Sequence, residues 1–346
     1  MSRFATGTAR TFTAVTLGLA LAATGFVVAP AWADDTQAQA DRAATTIAVA
    51  AGGTIVNLAP AGDASTATAN STQVTLPATS DGAVTMVTTD QSIKPLVTPV
   101  SISLPRETGG KHAKQAKNGT MVYPGGSGNS ADAAVQVLAD GSVRLSTVLA
   151  SKNSPTRFTY TIAGATPELQ ADGSVNLSRM IGPDNAGINL TVGTIAPAWA
   201  KDANGRPVAT HYEVKGNGQL VQVVSPDKNT AFPVVADPWI TFGWTIYLNM
   251  TGLAIAQLAG AIVGLSIAGI TALGVRFRVI GIIIGVVGVG GLTQIIQLVS
   301  STMNASLTKY YWAYCYQTGL LKGLNRYGTW THVAASNCSG EGYYVI

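Results

Sequence analysis

Charged side chains are scarce in this chain of 346 residues, of which only 11% are Asp, Glu, Lys or Arg. Acidic residues almost vanish after Pro238, where Glu341 is the only one, and this scarcity contributes to the formal net charge of +4. Nucleic-acid-binding proteins concentrate Lys and Arg on one polar face, often among aromatic residues. No such basic cluster occurs here, so we expect no nucleic-acid partner.

Catalytic signatures are also missing from the sequence. There is no Gly-x-Ser-x-Gly elbow, no His-Glu-x-x-His helix and no phosphate-loop lysine motif. The chain has three histidines, and only His332 lies near the cysteines, whereas zinc sites need three or four closely spaced ligands. We therefore predict no catalytic residue, no metal site and no cofactor. A soluble enzyme is the least favoured of three alternatives.

The chain has only two cysteines, Cys315 and Cys338, and both lie near its end. An even pair within one polar segment of an exported chain predicts a disulfide. The alternative is two free thiols.

The first 33 residues have the pattern of an export signal. Two arginines precede an apolar stretch that ends in Ala31-Trp32-Ala33, which matches the small-x-small rule for signal peptidase. We predict a signal peptide over 1–33, with cleavage between Ala33 and Asp34, and an uncleaved anchor is the alternative. The next residues, 34–50, are Ala, Thr, Gln and Asp without a clear period, which indicates a flexible leader.

Residues 51–238 contain short runs rich in Val, Thr, Ile and Tyr separated by Asp, Gly, Asn and Pro, a pattern typical of strands and tight turns. ADGSVRLS at 139–146 recurs as ADGSVNLS at 171–178, with a looser copy at 80–87. Asp-Gly between alternating apolar positions predicts a hairpin turn. Calcium binding by Asp81, Asp140 and Asp172 is disfavoured, because no further oxygen ligands accompany them in one loop.

Several motifs in this region resemble a known group of proteins. They are SPTRFTYTI, the DGSV hairpin, AWAKDANGRPVATHYEV and AFPVVADPW. Over about residues 130–250 the chain resembles uncharacterised secreted actinobacterial proteins with a Pro-Val-Val-Ala-Asp-Pro signature, here residues 233–238. The resemblance implies no catalytic residues, and it implies that the β-rich part is a common carrier followed by a variable C-terminal part.

Two long apolar runs follow the β-rich region. Leu253–Leu273 and Val279–Val299 are each long enough to cross a bilayer as a helix. Arg276 and Arg278 lie between them, which predicts an antiparallel helical hairpin with a basic tip on the cytoplasmic side.

Small and aromatic residues are placed as such a hairpin requires. Glycine pairs at i and i+4 allow close helix packing, and aromatic clusters flank both runs as interfacial anchors. The alternatives are low sequence complexity for the glycines and a soluble core for the aromatics. The glycines are Gly260, Gly264, Gly281 and Gly285, and the aromatics are Trp239, Trp244, Tyr247, Tyr310, Tyr311 and Trp312.

The sequence thus predicts an α+β fold. A β-rich exported domain at 51–238, sandwich-like or made of open antiparallel sheets, precedes a transmembrane-type α-helical hairpin at 239–308. A small basic, aromatic tail at 309–346 is closed by one disulfide.

The predicted function is that of a non-enzymatic cell-envelope protein, anchored in the plasma membrane by the hairpin with both large segments extracellular. The lipid bilayer is the expected partner, and self-association through the hairpin is a second one. The alternative is a secreted membrane-active toxin, bacteriocin-like or pore-forming, with the β-rich region as propeptide or carrier.

Overall fold

A computed structural model describes residues 31–89, 98–109, 112–126, 130–181, 188–253, 255, 313–319, 330–333 and 335–338. One α-helix, α1 (Ala31–Ala51), precedes the strands. The strands are β1 (Ala59–Ala61), β2 (Ala64–Ala69), β3 (Thr72–Leu76), β4 (Ala83–Thr88), β5 (Val100–Ser103), β6 (Lys114–Gln115), β7 (Met121–Tyr123), β8 (Ala131–Val137), β9 (Val143–Leu149), β10 (Arg157–Ala163), β11 (Thr166–Leu169), β12 (Val175–Ile181), β13 (Ile188–Ile195), β14 (Trp199–Lys201), β15 (Ala209–Lys215), β16 (Gln219–Ser225), β17 (Val234–Asp237), β18 (Trp239–Thr251), β19 (Cys315–Gly319) and β20 (Thr331–Val333). Single 3-10 turns lie at Arg106–Thr108 and Ala335–Cys338.

The strands form two antiparallel sheets. The first sheet has eight strands in the order β1-β2-β3-β4-β5-β10-β16-β15. The second has the order β11-β12-β13-β18-β9-β8-β7-β6, and β14, β17, β19 and β20 pair alongside this path. One apolar core contains buried residues from both sheets, including Phe158 and Tyr160 of the first and Leu145 and Phe242 of the second. The β-rich prediction is confirmed.

Alternation of side chains explains which faces of the strands are buried. In β10, buried Phe158, Tyr160 and Ile162 alternate with exposed or half-buried residues, because successive side chains of a strand point to opposite faces. All seven residues of β9 are buried, so both of its faces are covered. A second layer must therefore lie over the outer face of the second sheet.

That second layer includes α1. Its buried Ala40, Ala43, Ala44 and Ile47 follow the spacing of one helix face. They pack in a separate apolar cluster with small side chains of the second sheet and of the turn between β6 and β7. These are Ala116, Val122, Ala134, Val148 and Val235. Residues 34–50, predicted as a flexible leader, lie in α1 in the structure. Short side chains on both surfaces let the helix lie close to the sheet.

The predicted α+β fold class with a transmembrane-type helical hairpin is wrong. Residues 239–251, assigned to the hairpin, are strand β18, which pairs with β13, β9 and β19. None of the described helices has both the length and the apolar character needed to cross a membrane. The described residues instead form a β-protein of two sheets with one packed α-helix. Most of the two apolar runs, residues 256–312, lies outside the described residues.

The physical reason for this correction lies in the side chains of β18. Ile240 and Phe242 are buried in the core between the sheets, and Met250 joins the same core. The buried residues Ile240 and Phe242 are two positions apart, which is the strand period rather than the helix period. The proposed domain boundary at residue 238 therefore falls inside one continuous sheet.

Candidate functional site

The apolar segment, residues 253–313, leaves the sheet and returns to it at adjacent points. Thr251 at the end of β18 is the direct partner of Cys315 at the start of β19. Next to this pair, the backbone N–H of Gly252 donates to the carbonyl oxygen of Tyr314 at 2.9 Å. We call β18, β19, β20 and the 3-10 turn Ala335–Cys338 the strand clamp, because they hold both ends of this segment.

The outgoing strand of the clamp lies well inside the second sheet. β18 pairs with β13 from Ile240 to Asn249, and its first residues also pair with β9. Farther along, Tyr247–Thr251 pairs with β19 on the side opposite β13. β19 thus lies on the same side of β18 as β9 does, and its pairing with β18 and β20 fixes its position.

The returning strand is held by a disulfide and by a core contact. The Cys315–Cys338 disulfide predicted from the sequence is confirmed, and it links β19 to the 3-10 turn. Tyr316 is buried in the core, and Cys315 is 1% exposed. A cross-link over 23 residues restricts the unfolded chain by roughly 3 kcal/mol in the chain-entropy model.

Asn337 of the 3-10 turn fits among three carboxamides on the outer face of the second sheet. Its side-chain Oδ1 accepts hydrogen bonds from Gln170 Nε2 and Asn176 Nδ2, both at 3.1 Å. Its backbone oxygen accepts a hydrogen bond from Asn189 Nδ2 at 2.9 Å. We call Gln170, Asn176 and Asn189 the amide socket. Asn337 is 2% exposed, so the socket encloses it.

The amide socket continues into a buried polar layer under the clamp. Asn249 of β18 donates to the Asn189 carbonyl at 3.3 Å and to Thr191 Oγ1 at 3.1 Å. Gln317 of β19 donates to Asn249 Oδ1 at 2.9 Å. Buried polar groups are costly unless they are hydrogen-bonded, so this network fixes the clamp strands and the 3-10 turn in one arrangement.

Two cations bind the carboxyl-terminal end of α1 on the other half of the sheet. Arg144 Nη1 donates to the Gly52 carbonyl at 2.7 Å, and Lys201 Nζ donates to the Ala50 carbonyl at 2.8 Å. Each cation also lies over a tryptophan ring, Arg144 over Trp239 at 5.0 Å and Lys201 over Trp199 at 5.5 Å. Cations stabilise the last carbonyls of a helix, so these two pairs fasten α1 to the sheet.

A groove of about 740 Å³ lies beside α1 and is lined by residues that include Gln39, Arg42, Asp132 and Pro233. Burial raises the pKa of Asp132, although hydrogen bonds from Gly125 N–H and Gln39 Nε2, both at 2.7 Å, and the charge of Arg42 act to lower it. Throughout the described ranges, no group of three His, Cys, Asp or Glu side chains is arranged to hold a metal ion. The lining of the groove contains two carboxylates, Asp41 and Asp132, and the Arg42 guanidinium.

The DGSV repeats form matched turns, as predicted. Asp140 Oδ1 accepts from the backbone N–H of Ser142 at 2.9 Å and from its hydroxyl at 2.6 Å. Asp172 makes the same two bonds with Ser174 at the same distances. Gly141 and Gly173 both have φ of 85°, which the turn requires. The carboxylates of Asp140 and Asp172 therefore accept hydrogen bonds from the backbones of their own turns.

Residues of the Pro-Val-Val-Ala-Asp-Pro signature have structural roles. Val234, Val235 and Ala236 are almost completely buried in β17, which pairs with β9 and β14. The Pro238 carbonyl accepts a hydrogen bond from Leu145 N–H at 3.0 Å. The signature therefore sets strand register in the second sheet.

A second motif of the resemblance, KDANGR, is organised by Asp202. Burial acts to raise the pKa of this carboxyl, but its hydrogen bonds with Arg206, Ala231 and Asn204 outweigh burial and lower the pKa to about 2. The Arg206 guanidinium contacts it at 2.7 Å. Asp202 thus holds the turn together, and both of its carboxylate oxygens already accept hydrogen bonds.

The other residues predicted to be functional are distributed as follows. Ala31, Ala33 and Asp34 lie in the first turn of α1. Trp239 is half-buried in β18 beneath Arg144, so its ring contacts protein. Trp244 and Tyr247 belong to β18. The predicted functional residues that lie outside the described residues are Arg276, Arg278, Gly260, Gly264, Gly281, Gly285, Tyr310, Tyr311 and Trp312.

Sequence reasoning missed the amide socket and Arg144. The socket residues come from β12, β13 and the turn after β11, and they meet Asn337 only when the sheet has formed. The available signal was polar residues alternating with apolar ones along β12 and β13, which is equally typical of a solvent-facing surface.

Comparisons with protein-family models, with curated proteins and with solved structures find no match to this chain. The resemblance to secreted actinobacterial proteins therefore stays a prediction.

Proposed function

We propose that this chain is a non-enzymatic exported protein of the cell envelope, in which the two-sheet domain presents the apolar segment to a lipid bilayer. The observation that carries the proposal is the pairing of Thr251 with Cys315, reinforced by the Gly252–Tyr314 hydrogen bond. Both ends of the segment are thereby fixed to one domain.

The composition of the segment supports a lipid partner. The stretches 240–275 and 279–308 contain no Asp, Glu, Lys or Arg, and only Arg276 and Arg278 interrupt them. Apolar surface of this extent is unfavourable in water and favourable in hydrocarbon. Two cations within it suit a position near anionic headgroups.

The position of β18 favours a tether over a releasable toxin. A toxin carried by a β-rich propeptide would be freed by a cut near Pro238. Such a cut would leave β18 bonded to β13 on one side and to β9 and β19 on the other. The apolar segment would stay attached to the domain, so the tether is the better proposal.

The disulfide supports export. Disulfides persist in oxidising compartments outside the cytoplasm, and Cys315–Cys338 closes the clamp. This agrees with the signal-like pattern of residues 1–33.

The direct test compares the full chain with a variant in which a short Gly/Ser linker replaces residues 256–312. A short linker suffices because Thr251 and Cys315 are direct strand partners, whose Cα atoms are about 5 Å apart in such pairs. We expect the full chain in the membrane fraction of producing cells, extracted only by detergent. The linker variant should be soluble and should still form the Cys315–Cys338 bond.

The disulfide in the linker variant is the control for folding. Vesicles of phosphatidylglycerol and phosphatidylethanolamine provide the second measurement, because only the full chain should float with them. A full chain that is monodisperse in detergent-free buffer and does not float would contradict the proposal. Recovery of the full chain from the culture medium, together with flotation, would support the toxin instead.

A further inference from the structure

We infer that the end of the clamp is a redox-released latch. The latch consists of β20 and the 3-10 turn, residues 331–338 without 334. Reduction of Cys315–Cys338 undocks it from the amide socket, while β19 stays paired with β18. This inference rests on the clamp contacts and not on membrane binding.

The two partners of the disulfide are anchored very differently. Cys315 is 1% exposed, the next residue Tyr316 is buried in the core, and β19 pairs with β18 over five residues. Cys338 is half-buried at the end of a turn whose Ala335 is exposed. One cysteine is therefore buried in the sheet, and the other is partly exposed in the 3-10 turn.

The latch has little apolar burial of its own. In β20, Thr331 and His332 are exposed and Val333 is half-buried, and the strand makes three residue pairs with β19. The ring of His332 stacks on Tyr314 at 4.8 Å, and Tyr314 is itself 48% exposed. Among the described side chains of the latch, Asn337 is the one that is fully buried.

Besides the disulfide, the latch is held by the β19–β20 pairing, by the His332 ring against Tyr314 and Tyr316, and by hydrogen bonds to the amide socket. Three neutral amide groups donate to Asn337. Such bonds replace similar bonds to water, so each one adds little net stability. The disulfide keeps Asn337 close to the socket, and reduction removes that restraint.

The redox step is a thiol–disulfide exchange with a dithiol reductant. Its thiolate attacks one sulfur, the Cys315–Cys338 bond breaks, and two cysteine thiols form from two electrons and two protons of the dithiol. The dithiol is oxidised to its own disulfide. Attack on the Cys338 sulfur is favoured because that residue is the more exposed of the two.

Release changes the surface of the domain. The edge of β19 at Cys315–Gln317, which pairs with β20 in the oxidised protein, loses its partner strand. The three carboxamides of the socket lose Asn337, and the Glu168 carboxylate, which accepts from Ser178 at 3.0 Å, lies next to them. The reduced protein thus gains a polar surface with an unpaired strand edge.

The first experiment needs no substitution. The oxidised full chain is treated with dithiothreitol, pulsed with iodoacetamide and digested, and the alkylation of each cysteine is quantified by mass spectrometry. We expect Cys338 to be alkylated at least about tenfold faster than Cys315, because only the latch leaves the sheet. Equal rates would overturn the inference, whether both thiols stay protected or both react quickly.

The second experiment weakens the socket without touching the disulfide. Asn337→Ala removes the side-chain acceptor, which corresponds to a change of about tenfold in the docking equilibrium. We expect dithiothreitol to reduce the Asn337→Ala disulfide about tenfold faster than the wild-type disulfide. Asn153→Ala, at an exposed loop position, is the matched control and should leave the rate unchanged.

Hydrogen exchange separates release of the latch from general unfolding. On reduction, backbone amides of 331–333 should lose protection, while the amides of β18 and β19 that bond these two strands to each other keep it. Loss of protection in the β18–β19 pairing as well as in β20 would refute the selective release. Membrane binding enters none of these measurements, so failure of the latch is distinct from failure of the proposed function.

Discussion

Arg144 offers the sharpest test of how α1 is held on the sheet. It is 2% exposed and donates from Nη1 to Gly52 and to Gln136 Oε1, the latter at 3.1 Å. We consider Arg144→Met, which keeps a long side chain and removes the charge and all donors. The Trp239 ring then loses its cation, and the carbonyl of Gly52, just after α1, loses the hydrogen bond from Arg144.

The expected cost follows from these contacts. Gln136 is 1% exposed, so its Oε1 would be left buried without this donor, which costs about 1–3 kcal/mol. Loss of the desolvated cation–π contact adds about 1–2 kcal/mol. The carbonyl of Gly52 lies in an exposed residue and can bond to water, and removal of a buried charge returns part of the loss. We expect a net decrease of about 3 kcal/mol in the free energy of unfolding.

Urea unfolding followed by tryptophan fluorescence measures this change, and native-state hydrogen exchange of residues 45–51 locates it. Arg157→Met is the matched control, since Arg157 makes an exposed ion pair with Glu213 at 2.7 Å and such pairs contribute little. An Arg144→Met midpoint equal to that of the control would refute the reasoning. Unchanged exchange in α1 would refute the assignment of Arg144 to that helix.

Three further predictions test the fold. Gly141→Ala should destabilise the protein more than Gly173→Ala, although both glycines have φ of 85°. An added Cβ would meet a backbone oxygen at 2.8 Å at position 141, but only a side-chain carbon at 3.9 Å at position 173. Thermal unfolding of the two variants measures the difference. Ile47→Ala should lower the free energy of unfolding in urea by about 2–5 kcal/mol, because Ile47 is fully buried. Val49→Ala on the same helix should hardly change it, because Val49 is 83% exposed. Equal losses would mean that α1 is not packed on the sheet. The stabilisation contributed by Asp202 should be complete above the usual aspartate pKa of about 3.9 and should disappear as the pH falls towards 2, since its pKa in the folded protein is about 2. In urea titrations from pH 7 to pH 2, the unfolding free energies of wild type and Asp202→Asn should converge at the acid end.

Local chemistry made part of the fold predictable. The Asp-Gly turns at Asp140 and Asp172 were identifiable because the turn is decided by the aspartate, the glycine and the serine that follows. Alternating apolar residues identified strands such as β10 for the same reason, since the pattern is local. The disulfide followed from counting, because two cysteines in a chain predicted to be exported leave one intramolecular pairing.

Tertiary contacts decided the elements that the sequence did not reveal. The packed face of α1 is mainly alanine, and alanine gives a weak apolar period even though it allows the closest approach to a sheet. The amide socket was equally hidden, because Asn176 and Asn189 occupy strand positions that would face water if the 3-10 turn did not cover them. In both cases the deciding partner lies far away in the sequence.

β18 was misassigned for a different reason. Its aromatic residues adjoin an apolar run, and this proximity favoured an interfacial collar over a strand. The decisive residues are Asn249, which is completely buried in the polar layer, and Phe242, which is buried in the core. A strand with one face in an apolar core and the other in a polar network carries no simple hydropathy signature.

The order of the strands along the chain constrains how the clamp can close. β18 gains its partner β19 only after the whole apolar segment has been synthesised, because that segment separates Thr251 from Cys315. Long-range pairing of this kind is slow to form, since the intervening chain must first be closed into a loop. The domain can therefore assemble β13, β9 and β18 before β19 is available. β19 and the disulfide then add to a sheet that has already formed, so the clamp closes last.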